Sequence, residues 1–180
     1  MKAKWTKPRQ DHRLPVGVHL ASIVSVNYAR NTKGELIMQE EHPVIEITFL
    51  SSGEKVVERI STHPKSQWIW DSLSKALMID NRNSSISASE AKGRLLYIII
   101  AAEVEMDENE RLKTNPDGTL FYNRKMKMEF YPYFEGGFAP IFNGHPDKNN
   151  GIPSGKFLIN KGIEVKQVFK EQVQTSEDDF

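Results

Sequence analysis

The chain has no cysteine among its 180 residues, which excludes disulfide frameworks, thiol catalysis and zinc sites with cysteine ligands. It also has no net charge, because 24 Lys and Arg balance 24 Asp and Glu, so its overall charge does not draw it to nucleic acid or anionic lipid. No stretch approaches the roughly 18 apolar residues that a membrane-spanning helix needs. The first residues lack the apolar core of a signal peptide. We therefore expect a soluble, cytoplasmic protein.

Motifs of enzymes and cofactor sites are missing as well. The five histidines are scattered, without the paired spacing typical of metal ligands. Residues 147–158 begin like a calcium loop, but Ile152 stands where the turn needs glycine and Leu158 where a bidentate glutamate belongs. No phosphate-binding glycine loop or nucleophile elbow occurs. The sequence predicts no catalytic residue, no metal and no cofactor. An enzyme with an unrecognised carboxylate site is a third interpretation, behind DNA binding and an assembly role.

Alternating apolar residues predict three strands in the first third of the chain. The first runs from Val18 to Tyr28, the second from Pro43 to Leu50 and the third from Lys55 to Ile60. A tight turn at 51–54 joins the second strand to the third.

A helix is predicted next, because apolar residues then recur at helical spacing up to Leu77. Thr62 can cap this helix, and Pro64 suits its first turn. Trp68 and Trp70 are two positions apart and cannot share one helix face, so one should lie in the core while the other either caps the bottom of the barrel or touches a partner. Packing is the favoured role for both rings.

A fourth strand, buried on both faces, is predicted from Arg94 to Glu105, and a fifth from Phe121 to Tyr131. Asn115-Pro-Asp-Gly between them is a strong turn signal. Residues 132–162 are irregular and rich in aromatics; they form either a covering flap or a stacking or interaction surface. Helical spacing from Ile163 to Val173 predicts a short C-terminal helix.

Five strands with one helix between the third and fourth is the element order of an OB-fold, a partly open barrel that commonly binds oligonucleotides. We predict a mainly β, five-stranded OB-fold barrel in a single domain, residues 14–173. A basic N-terminal arm, residues 1–13, precedes it, and an acidic tail, residues 174–180, follows it.

Basic and aromatic side chains converge on the predicted groove of this barrel. In an OB-fold the groove crosses strands two and three between the loops that join strands one to two and four to five. Binders of single strands combine such a basic groove with aromatic rings on which bases stack. The predicted DNA-binding residues are Tyr28, Arg30, Lys33, Lys55, Arg59, Arg111, Lys113, Lys125, Lys127, Tyr131 and Tyr133. Stacking and structural packing are both open for the three tyrosines.

The last four residues, Glu177-Asp-Asp-Phe180, join acids to a terminal aromatic ring. Such a ring and its α-carboxylate can enter an apolar pocket with a basic rim, while the acids steer the approach. A solubilising tail is the alternative. This C-terminal tip and the segment Leu14-Pro-Val-Gly-Val-His-Leu near the start of the predicted barrel both resemble sequences of the single-stranded DNA-binding proteins of bacteria and their phages.

The resemblance implies sequence-tolerant DNA binding in replication, recombination or repair, without catalysis and with frequent oligomerisation. It also implies that Asp178, Asp179 and Phe180 recruit a partner enzyme. The tail departs from the bacterial cellular proteins because it lacks a long Gly/Gln/Pro-rich linker and has Asp where they have Ile-Pro. These departures favour a single-stranded DNA-binding protein encoded by a phage or mobile element. The alternative function is a structural or assembly module of such an element, with the aromatic segment as its interface.

Overall fold

The computed structural model describes residues 3–4, 12–79, 86–109, 111–147 and 152–159. The predicted C-terminal helix, the acidic tail and most of the N-terminal arm lie outside these residues. The described chain is mainly β and contains a curled antiparallel sheet. No helix among the described residues is long and apolar enough to cross a membrane.

The chain forms two compact units. Unit 1 comprises Met1–Arg9, Val18–Ile99 and Lys127–Pro140, and unit 2 comprises Gln10–Gly17, Ile100–Met126 and Ile141–Phe180. In chain order the strands and α-helices are β1 (Ala3–Lys4), β2 (Gly17–Tyr28), β3 (Ile37–Gln39), β4 (His42–Ser51), β5 (Glu54–Ser61), α1 (Gln67–Leu77), α2 (Ala88–Ala91), β6 (Leu95–Val104), β7 (Tyr122–Met126) and β8 (Tyr131–Pro132). The first four predicted strands are confirmed as β2, β4, β5 and β6 with their ends shifted by one residue at most.

The sheet of unit 1 has Greek-key connectivity. Strands β2, β4 and β5 pair in succession, and β6 then returns to lie beside β2. The N–H of Ile23 donates to the carbonyl of Arg94 at 3.0 Å, and the N–H of Gly93 donates to the carbonyl of Ile23 at 2.8 Å. The resulting order β6-β2-β4-β5 places the fourth main strand next to the first, which defines a Greek key.

Helix α1 packs one tryptophan inside unit 1 and leaves the other in solvent. Trp70 is fully buried and donates its indole N–H to the carbonyl of Ser61 at 2.8 Å. The expectation that one ring lies in the core is therefore confirmed, whereas the packing favoured for the second ring is wrong, because Trp68 is 58% exposed. The predicted cap at Thr62 is wrong, because its hydroxyl donates to the Pro43 carbonyl at 2.6 Å. His63 instead caps a 3-10 turn, Pro64–Ser66, that leads into α1.

The C-terminal end of α1 forces a side chain into a left-handed backbone conformation. Met78 has φ 56° and ψ 39° and its side chain is exposed. Only glycine adopts that conformation without a steric cost. We predict that Met78→Gly raises the free energy of unfolding by about 0.5–1 kcal/mol, read from the midpoint of thermal or urea unfolding. As the control, Lys75→Gly inside the same helix should lower it by about 1 kcal/mol; equal signs for the two changes would contradict the prediction.

The predicted fifth strand, Phe121 to Tyr131, is wrong as one continuous element. It is split into β7 and β8, because the chain leaves the ladder to bury Phe130. The Phe130 ring stacks on the Phe49 ring with centroids 5.7 Å apart. The backbone N–H of Phe130 donates to the Ser72 hydroxyl of α1 at 3.0 Å.

In unit 2 the end of β6 pairs with β7 in an antiparallel hairpin. The connecting segment between these strands folds into two small hairpins, closed by bridges between Met106 and Leu112 and between Thr114 and Leu120. The predicted turn is confirmed, since the Gly118 N–H donates to the Asn115 carbonyl at 2.9 Å. The apolar side of this segment is covered by a cluster of Val104, Leu112, Ile152 and Leu158.

Candidate nucleic-acid interface

Between the Glu46–Arg59 pair and the Leu50–Lys55 pair, the outer face of the β2-β4-β5 meander is mostly polar and its residues are half-buried or exposed; the next pair on that face, Val44 and Ser61, is buried. Residues that are directly paired in an antiparallel ladder point to the same face of the sheet. The register places Leu50 opposite Lys55, Thr48 opposite Val57 and Glu46 opposite Arg59, with the β2 residues Ser22, Ser25 and Asn27 beside them. The opposite face carries Ile47, Phe49 and Ile60 and belongs to the core.

Two predicted cations, Lys55 and Arg59, share this outer face. The Arg59 Nε donates to Glu46 Oε2 at 3.0 Å, so a carboxylate on the neighbouring strand offsets its charge. Lys55 is exposed and forms no ion pair with any residue that the structure describes. Its positive charge is therefore open to an anion.

Arg30 and Lys33 lie in the short hairpin that leaves β2. The Asn31 side-chain oxygen accepts the N–H groups of Lys33 and Glu35 at 3.0 and 2.9 Å. The Arg30 guanidinium donates to the Gly34 carbonyl at 2.8 Å. These bonds fix the turn and leave Arg30 and Lys33 together on an exposed tip of unit 1.

The predicted cations Arg111, Lys113 and Lys125 belong to unit 2, and the two lysines are balanced by acids. Lys113 Nζ lies 3.3 Å from Glu105 Oε2, and Lys125 Nζ lies 3.1 Å from the buried carboxylate of Glu103. Asn123 Nδ2 donates to Glu105 Oε1 at 2.7 Å. Arg111 is exposed, and its backbone N–H donates to Asp107 Oδ1 at 2.9 Å.

The sequence indicates Glu103 and Glu105 only as part of an acid cluster at a solvated strand end; their ion pairs with the two lysines were not predicted. Glu103 in β6 and Glu105 just after its end are two residues apart, as Asn123 and Lys125 are in β7. Acids and cations that alternate on two neighbouring strands face each other across the ladder, and this pattern could have predicted the ion pair of Glu103 with Lys125.

The three predicted tyrosines do not join Lys55 and Arg59. Tyr28 pairs with Ile45 and so lies on the opposite face of the sheet, where it is 57% exposed. Tyr131 donates its hydroxyl to Glu129 at 3.1 Å. The Tyr133 ring meets the buried Tyr97 edge-on with centroids 5.9 Å apart. The outer face of the meander offers charge and hydrogen bonds rather than rings for stacking.

Lys127, the remaining predicted cation, and the turn at 115–118 each have their own hydrogen bonds. The half-buried Lys127 donates its backbone N–H to the Ile99 carbonyl at 2.8 Å. In the turn at 115–118, the hydroxyl and N–H of Thr119 bond to the Asp117 carboxylate and lower its pKa below the usual value. No group of three or more His, Asp or Glu within the described ranges could hold a metal ion.

Comparison of the chain with protein-family models, with curated proteins and with solved structures gave no match. Function therefore has to be argued from the residues and from the geometry of each unit.

Proposed function

We propose that the chain is an OB-fold protein that binds single-stranded DNA without sequence preference, in replication, recombination or repair. The Greek key of unit 1 supports the fold, because an OB-fold is a five-stranded, partly open Greek-key barrel. The position of α1 between β5 and β6, the third and fourth main strands, agrees with that architecture.

The observation that carries the proposal is the mostly polar stretch of the outer face between the Glu46–Arg59 and Leu50–Lys55 pairs, with Lys55 open on it. OB-folds bind oligonucleotides on the face of their second and third strands, which correspond to β4 and β5 here. Lys55 and Arg59 are four residues apart on β5, a distance of roughly 13 Å along a strand. Arg59 pairs with Glu46, close to the start of β4 and hence to the hairpin that carries Arg30 and Lys33. Cations therefore stand at both ends of the face.

Such an arrangement of cations recognises the sugar–phosphate backbone of a DNA strand. Lysine and arginine neutralise phosphates and release counterions, and backbone contacts carry no sequence information. Tyr28 lies on the opposite face of the sheet and cannot stack a base bound here. A nucleic-acid strand that extends beyond the face to Tyr131 or Tyr133 would gain about 1–3 kcal/mol for each stacked base.

The acidic tip is the second half of the proposal and rests on the sequence alone. Asp178, Asp179 and Phe180 would dock a replication, recombination or repair enzyme of the host, in a cytoplasmic protein of a phage or mobile element. Deleting Glu177 to Phe180 should abolish that docking.

We predict that the double variant Lys33→Ala/Lys55→Ala weakens binding to a single-stranded oligonucleotide about tenfold at low salt. The loss should be uniform across base compositions, and the slope of log affinity against log salt should fall by about 2, one for each lost phosphate contact. Fluorescence anisotropy with a labelled oligonucleotide measures both. The matched control is Lys92→Ala, an exposed lysine outside the proposed face. Equal loss in the control, or no loss in the double variant, would contradict the assignment.

A further inference from the structure

The ion pair of Glu46 with Arg59 lies at one end of the proposed DNA-binding face. The two residues stand directly opposite each other on β4 and β5, and Arg59 Nε donates to Glu46 Oε2 at 3.0 Å. Side chains opposed in this way have Cβ atoms only about 5 Å apart, so the sheet itself keeps the carboxylate beside the guanidinium. The Arg59 side chain is 27% exposed and the Glu46 side chain 35%, so a ligand on this face reaches both groups.

The ion pair occupies one edge of the arginine. A guanidinium has five N–H donors in a fixed plane, and the bond to Glu46 uses the one on Nε. In the part of the chain that the structure describes, the two terminal nitrogens of Arg59 form no further bond. A phosphate group binds the same donors that a carboxylate binds, often two at a time. A phosphate at Arg59 therefore comes close to the Glu46 carboxylate, and the two anions compete for one cation.

Lys55 on the same strand has no such competitor. Leu50 stands opposite it, and no carboxylate of a described residue pairs with its ammonium group. The charged side chains on this stretch of the face are Glu46, Lys55 and Arg59, so two charges cancel and one cation stays uncompensated. The face therefore binds phosphate unequally at its two ends.

A displaced Glu46 carboxylate has a second partner within reach. Asn27 stands opposite Glu46 on its other side, on β2, and is exposed. The asparagine amide has two N–H donors and no charge, so it can donate to the carboxylate once a phosphate has taken Arg59. The carboxylate can thus exchange Arg59 for Asn27 without leaving the face.

We propose that Glu46 is a built-in competitor of the phosphate backbone and sets how tightly this face holds a DNA strand. A phosphate at the Arg59 end binds only when the Glu46 carboxylate moves aside, whereas a phosphate at Lys55 displaces nothing. The competition lowers the affinity and keeps the bound strand exchangeable. Because it concerns the same face, it rests on the DNA-binding function proposed above.

The variant Glu46→Gln removes the competing charge and keeps an oxygen that can accept the Arg59 N–H. In the full chain it should bind a labelled single-stranded oligonucleotide about fivefold more tightly at low salt, and the slope of log affinity against log salt should steepen by up to about 1. Fluorescence anisotropy measures both. Glu90→Gln is the matched control, because it makes the same change in net charge at an exposed position of α2, outside the face, and it should leave the affinity within about twofold. An unchanged or weaker affinity of Glu46→Gln, or an equal gain in the control, would overturn the proposal.

Arg59→Gln, made in the wild type and in Glu46→Gln, separates competition from simple repulsion. If Glu46 competes for Arg59, loss of the arginine should weaken binding about twofold in the wild type and about tenfold once position 46 is neutral. Equal losses in the two backgrounds would mean that the two charges act on the DNA independently, which would overturn the competition. The midpoint of thermal unfolding should stay nearly constant in all three variants, since the ion pair is partly in solvent.

The same titrations distinguish the failure of this proposal from the failure of the proposed function. If neither the wild type nor any variant binds the oligonucleotide at low salt, the DNA-binding function is wrong and the competition with it. If the wild type binds and Lys33→Ala/Lys55→Ala weakens binding, but Glu46→Gln brings no gain, only the competition is wrong.

Discussion

Trp70→Ala is expected to lower the free energy of unfolding by about 3–5 kcal/mol. The ring is fully buried in unit 1, so its removal leaves a cavity that neighbouring side chains fill only in part. It also leaves the Ser61 carbonyl without its indole donor, and an unpaired buried carbonyl adds to the cost. Urea unfolding followed by circular dichroism, at a protein concentration below any self-association, measures the change.

The control is two residues away on the same helix. Trp68→Ala removes an equally large ring from an exposed position and should change the free energy of unfolding by less than about 0.5 kcal/mol. Trp70→Phe separates the two causes, because it keeps most of the volume and loses the N–H donor. If Trp68→Ala destabilised as much as Trp70→Ala, the orientation of α1 would be wrong.

Gly155→Ala has the second large expected effect, a loss of about 3 kcal/mol in the free energy of unfolding. Two glycine-containing segments of unit 2, residues 143–145 and 154–156, cross closely. The Lys156 N–H donates to the Asn143 carbonyl, and the Ser154 N–H donates to the His145 carbonyl, both at 3.2 Å. Gly155 has φ 62°, and a Cβ there would overlap the Asn143 carbonyl oxygen and approach its carbon to 2.7 Å. The left-handed backbone costs about 1–2 kcal/mol and the crowding about 1–3 kcal/mol more.

Gly118→Ala separates those two costs. Gly118 has φ 85°, but no heavy atom outside its immediate chain neighbours lies within 4 Å of the position that a Cβ would occupy. Its substitution should therefore cost only about 1 kcal/mol. The unfolding midpoints of the two variants give the comparison. Equal losses would mean that the segments at 143–145 and 154–156 do not cross as closely as the structure has them.

The sequence was informative about elements whose periodicity is long and regular. The alternation in β4 and β5, the all-apolar run of β6 and the helical spacing up to Leu77 each indicated a strand or helix that the structure contains. The short β3 pairs with β4 at only two positions, and two residues are too few for a period to show. The predicted fifth strand failed for a tertiary reason, since burial of Phe130 against Phe49 interrupts it.

One bulge explains why the site was only partly predictable. Strict alternation would place Tyr28 on the face opposite Ile23, beside Lys55 and Arg59. The register of β2 shifts between Ile23 and Ser25, which turns Tyr28 to the side of Ile23. A single inserted residue leaves no mark in the hydrophobic pattern that sequence reasoning could read. The pairing of Arg59 with Glu46 likewise depends on register and was not foreseen.

Titration of the full chain with single-stranded DNA at low and moderate salt, with duplex DNA as the comparison, tests the central claim most directly. We predict an affinity that falls steeply as salt rises, because the cations of the face bind phosphates. The proposed OB-fold architecture also predicts a clear preference for the single strand. Equal affinity for duplex would contradict the proposed function. So would the absence of binding at low salt, with and without Glu177 to Phe180.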